Sequence, residues 1–125
     1  MGNTIFTQPT ITSQITDRLV SDVGATNVTI KNDAFCIDYR KHHFELRLCY
    51  GRNRDSGKVC LQITQIHNSH VCRTHTSGIA GNNPTFFSLK PEDDSKLVKS
   101  LYNSPDSSDS VAGIIASLKY KMDLY

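Results

Sequence analysis

Tryptophan is missing from this 125-residue chain, methionine occurs twice and proline four times. No apolar run approaches the roughly 20 residues that a membrane-spanning helix needs, so a bilayer-embedded protein is excluded as an expectation. Neither sign of charge dominates: 14 Lys and Arg stand against 12 Asp and Glu, and 38% of residues are hydrophobic. That composition belongs to an ordinary globular chain and excludes a disordered one. The first ten residues, MGNTIFTQPT, hold no basic n-region and no apolar h-region, so a secretory signal is not expected and the thiols are expected to meet a reducing compartment. Phe6 stands where an N-myristoylation signal wants Ser or Thr. The sequon at Asn27 reads as a polar strand start rather than a glycan site. No nucleophile elbow, Gly-rich phosphate loop or internal repeat is found, and the chain is not expected to be an enzyme.

What the chain does have is four cysteines and five histidines, the histidines gathered between positions 42 and 75. A domain of this size sits where a modest core leaves little stability to spare. A bound zinc, contributing on the order of 10 kcal/mol, would be an effective staple. Cysteines in a reducing compartment beside clustered histidines point to metal before disulfides.

The pattern predicts an α+β fold. In SQITDRLVSDVG, Ile15, Leu19 and Val23 recur every four residues, with Ser13 as N-cap and Gly24 as stop, which predicts a helix of about three turns. After Gly24 the period becomes two. NVTIK, AFCIDYR, HFELRLCY and VCLQITQIH read as four antiparallel strands, with Phe44, Leu46, Leu48, Val59, Leu61 and Ile63 inward and Cys49 and Cys60 outward. GRNRDSGK is the hairpin loop between the last two. Periodicity fades beyond Cys72 into a linker anchored by Phe86, Phe87 and Leu89. Residues 91–102 and 109–122 read as helices, the second placing Val111, Ile114, Ile115, Leu118 and Met122 at helical spacing. The expected organisation is a flexible 1–12, a zinc-bound α+β domain over 13–75, a linker over 76–90 and a helical tail over 91–125.

Zinc requires four Cys or His donors converging tetrahedrally, and short local spacings supply such donors in pairs. HNSHVC provides His67, His70 and Cys72, of which His70 and Cys72 form the nearer pair. The partner pair is either Cys36 with His43 (or His42), giving C-x6-H-x26-H-x-C, or Cys49 with Cys60. Cys36 and His43 are the expected choice, because Cys49 and Cys60 lie far from the strand end that presents His70 and Cys72. Cys36 and Cys49 can equally be small buried core residues.

The helix ending in Gly24, the early cysteine and the run from Phe44 to Cys72 together resemble the N-terminal zinc-binding domain of Mutator-like transposases, in the WRKY and FLYWCH zinc-finger superfamily. His43 stands where that family has a second cysteine, and no transposase chemistry is expected of these 125 residues. The resemblance implies Zn2+ as cofactor, sequence-specific double-stranded DNA as partner and the nucleus as location. Lys31, Arg40, Lys41, Arg47, Arg52, Arg54 and Lys58 are the cations expected to meet DNA, and a pI near 8.4 is modest for that role. The competing expectation is a small viral or accessory protein-interaction module that docks through Ile114, Ile115 and Leu118 of its C-terminal helices.

Overall fold

The computed structural model describes residues 10–50, 59–76, 85–102 and 110–124. Helix α1 (Ile11–Arg18) begins at Thr10, whose hydroxyl accepts from the Ser13 N–H at 3.0 Å, so the cap lies three residues before the expected Ser13 and Ile11 joins the core. Ile11, Ile15, Leu19 and Val23 are all buried. A spacing of four residues drifts about 40° per step around a straight helix of 3.6 residues per turn. Leu19–Val23 are wound as a wider π turn, which rotates less per residue and returns the stripe to the core. Gly24 at φ 85° ends it, as expected, and the Ala25 N–H closes the terminus on the Leu19 carbonyl at 2.9 Å.

The sheet has more strands than the four expected. β1 (Thr26–Lys31), β2 (Ala34–Tyr39), β3 (His42–Tyr50), β4 (Val59–His67) and β5 (His70–Thr76) form an antiparallel meander in chain order, and β6 (Thr85–Phe86) pairs with β3 beside the end of β2. β5 is the unexpected strand, because His70 and Cys72 read as residues leaving the sheet. In fact Asn68 and Ser69 make a two-residue reversal, and the chain returns along β4 through Thr76. The expected linker over 76–90 therefore contains strand residues at Thr76 and at Thr85–Phe86.

Three connections share one geometry. Asn32–Asp33, Arg40–Lys41 and Asn68–Ser69 all have positive φ at both positions, between 47° and 68°. That is the type I′ turn, whose twist matches the strands it joins.

One face of the sheet is apolar. Phe35, Ile37 and Tyr39 of β2, Phe44, Leu46 and Leu48 of β3, and Leu61 and Ile63 of β4 are buried there, and the cross-strand pairs Phe35↔Leu46, Ile37↔Phe44, Leu46↔Ile63 and Leu48↔Leu61 put them on a common face. Helices α1, α2 (Asp94–Tyr102) and α3 (Ser110–Asp123) contribute Ile11 and Ile15, Leu97, and Ile114, Ile115, Leu118 and Met122, respectively, to the same core. The expected docking residues Ile114, Ile115 and Leu118 face this core, and no partner can use them without opening it. Phe87 and Leu89 anchor as expected, whereas Phe86 is exposed on the other face. Asp94 Oδ1 accepts from the Ile11 N–H at 2.9 Å, joining the start of α2 to the start of α1.

Candidate nucleic-acid interface at one end of the sheet

In a meander, alternate turns lie at the same end. The Arg40–Lys41 turn between β2 and β3 therefore neighbours the Asn68–Ser69 turn between β4 and β5, while Asn32–Asp33 lies at the opposite end. His42, His43, His67 and His70 flank the first two turns, so four of the five histidines share an end with Arg40 and Lys41. His67 and His70 are direct cross-strand partners, and the His42 ring Nδ1 lies 2.9 Å from the Gln65 side-chain amide.

The acids at this end are engaged within the protein. Asp123, at the end of α3, receives the Tyr39 phenol and lies 3.3 Å from the Arg40 guanidinium, which also stands 5.3 Å above the Tyr39 ring. The hydrogen bond to Asp123 raises the Tyr39 phenol above its ordinary pKa. Asp38 receives the Asn27 amide at 2.8 Å and the His43 ring at 2.7 Å, and these two contacts, the amide first, lower its carboxyl pKa. Asn27 can reach because it is itself a left-handed residue, φ 53°, where β1 slips register against β2. Arg40 keeps two-thirds of its side chain in solvent, and Lys41 is exposed.

Of the remaining expected cations, Lys31 and Arg47 do not join this group. Lys31 ends β1 beside the opposite turn, about 20 Å away along β2 at 3.3 Å per residue. Arg47 lies mid-strand on the outer face, 3.9 Å from Glu45. Arg52, Arg54 and Lys58 lie outside the described residues.

The expected zinc ligands fall into two separate pairs. Cys36 and His43 occupy the outer face of adjacent strands, opposite Glu45 and Asp38. Burial, then the Glu45 charge, raises the Cys36 thiol. His70 and Cys72 belong to β5, which is three strand spacings from β2, about 14 Å. Donors 2.0–2.3 Å from one zinc must lie within about 4 Å of each other. Cys72 is also the extra residue of a bulge between the pairs Gln65↔Arg73 and Ile66↔Val71, with its thiol 3.7 Å from the His70 carbonyl. The four residues do not fit one tetrahedral site in this arrangement, and among the described residues no three His, Cys, Asp or Glu side chains are grouped to hold a metal.

At the opposite end of the sheet a concavity of about 820 Å3 opens between Thr12, Ser13 and Thr16 of α1, Asn32 of the far turn, and Leu89 and Lys90. Asp33 fixes its wall by accepting from the Leu89 N–H at 3.1 Å. No described helix is long and apolar enough to cross a membrane. No family model, curated protein or solved structure matches the chain.

Proposed function

We propose that the chain binds duplex DNA through the end of the sheet that carries Arg40 and Lys41. The observation that supports this most is local. Two adjacent tight turns bring two cations, four imidazoles and the Asn68 and Ser69 side chains together, while the nearby carboxylates are already hydrogen-bonded inside the protein. Such a surface suits phosphate oxygens, which accept from Arg, Lys, Asn and Ser alike. A two-stranded ribbon also has the width that a major groove admits. Among the described side chains, neither hairpin exposes a Phe or Tyr on which unpaired bases could stack, which favours a duplex over a single strand. Zinc is not needed for this mode of binding.

Backbone conformation supplies a further argument. Left-handed φ costs an ordinary L-residue roughly 1–2 kcal/mol, and Asn-Gly is the inexpensive choice for such a turn. Arg and Lys occupy both positions here, a local conflict of the kind that collects at functional sites.

The test follows from that conflict. Lys41→Gly relieves the backbone and removes the charge, so it should raise stability by roughly 1 kcal/mol while weakening duplex binding. Fluorescence anisotropy over a salt series should show the slope of log affinity against log salt falling by about 0.9 for each phosphate that is no longer neutralised. A wild-type affinity weaker than roughly 10⁻⁴ M for every duplex at physiological salt overturns the proposal.

A further inference from the structure

On the sheet face turned away from the helices, Cys49 of β3 stands directly opposite Cys60 of β4. Both are inaccessible, at 0% and 2% exposure, and they form an apolar cluster separate from the main core. The kind of pairing follows from β6. The Leu48 carbonyl accepts from the Phe87 N–H at 2.9 Å, so Leu48 turns its backbone toward β6. Successive residues of a strand direct their backbone groups to opposite sides, and Cys49 therefore turns its N–H and C=O toward β4. Cys49 and Cys60 are thus a hydrogen-bonded pair, for which Cα atoms lie about 5.5 Å apart. Disulfides are commonest at about 5.5–6 Å.

The side chains leave the same face, and the Cys49 thiol hydrogen-bonds with that of Cys60. That bond, with burial, pushes the Cys49 thiol up, so thiolate is scarce while the strands stay closed. Neither other cysteine has such a partner: Cys36 stands opposite Glu45, and Cys72 is exposed in the β5 bulge.

We propose that Cys49 and Cys60 are a dithiol site that closes to a reversible intrachain disulfide, with a low-molecular-weight disulfide as oxidant. One cysteine sulfur attacks the small disulfide, forming a mixed disulfide and releasing the first small thiolate, which takes up the proton the cysteine has lost. The second cysteine sulfur attacks the first cysteine's sulfur in that mixed disulfide, displaces the second small thiolate and gives up its own proton to it. The protein gains one S–S bond, two electrons pass to the oxidant, and two small thiols leave. The bond links the ends of β3 and β4 across residues 51–58, at the end of the sheet opposite Arg40 and Lys41.

The full chain, equilibrated with graded ratios of oxidised to reduced glutathione, acid-quenched and alkylated, reports the site by peptide mass mapping. The expected product is one 49–60 cross-link with loss of two hydrogens, Cys36 and Cys72 alkylated, reversal by dithiothreitol and a higher urea midpoint for the oxidised form. Stable mixed disulfides at Cys49 or Cys60, comparable cross-links to Cys36 or Cys72, a lowered midpoint, or no cross-link at any ratio each overturn it. No substituted chain has to fold for this measurement.

Discussion

Asp38 shows how much a single side chain arranges at the proposed interface. Its two oxygens hold Asn27 in a left-handed conformation on one side and the His43 ring on the other. Because the folded carboxyl is depressed, Asp38 contributes stability above its unfolded pKa, near 3.8, and that stability is lost as pH falls through the lower folded value. With 42% of the side chain exposed, solvent screens much of the effect. Urea titrations of wild type and Asp38→Asn should therefore diverge at neutral pH and converge on acidification below about pH 4. A constant difference at all pH values would assign Asp38 only a packing role. Other residues are legible from sequence in kind but not in place. The inward Phe44, Leu46 and Leu48 follow from a period of two, whereas Cys36, His43, His70 and Cys72 are metal donors by type and are dispersed by strand order, which no single-residue pattern encodes.

Among the elements, the turns carry the least visible information. β5 alternates poorly and buries no hydrophobic side chain, so its HVCRTHT offers no inward stripe to read. The usable signal is the spacing: two residues beginning with Asn between segments with strand character, the mark of a tight hairpin. Arg40–Lys41 is harder still, because neither residue favours the turn it forms. The end of α1 is legible, and it permits a clean measurement. A Cβ at Gly24 would meet nothing within 4 Å, so Gly24→Ala should cost about 1–2 kcal/mol through φ alone. Urea unfolding should report that cost with an unchanged m-value. A cost near zero would mean that the π turn relaxes to a different ending.

The whole molecule is a sheet with one face covered by helices from both sides of it in the chain. The helical periods of residues 91–122 are readable, but not that they pack into the core that α1 begins, because the packing partners stand at opposite ends of the sequence. Leu118 is 1% exposed within that core, and Leu118→Ala should cost about 2–5 kcal/mol in urea unfolding. Tyr120→Ala, on the solvent side of the same helix, should stay within about 0.5 kcal/mol. Equal costs would mean that α3 leaves the sheet in solution and that Ile114, Ile115 and Leu118 are open to a partner after all.

The placement of α3 also bears on synthesis. Among themselves β1 to β5 pair only with their neighbours in sequence, so the meander can zip up locally as it leaves the ribosome, before β6 joins β3. Among the described elements, α1 alone precedes the sheet and is available to its apolar face, with Phe35, Phe44 and Ile63. Until residues 110–123 have been made, the nascent sheet is a half-covered surface, and that interval is when a chaperone would find most to hold.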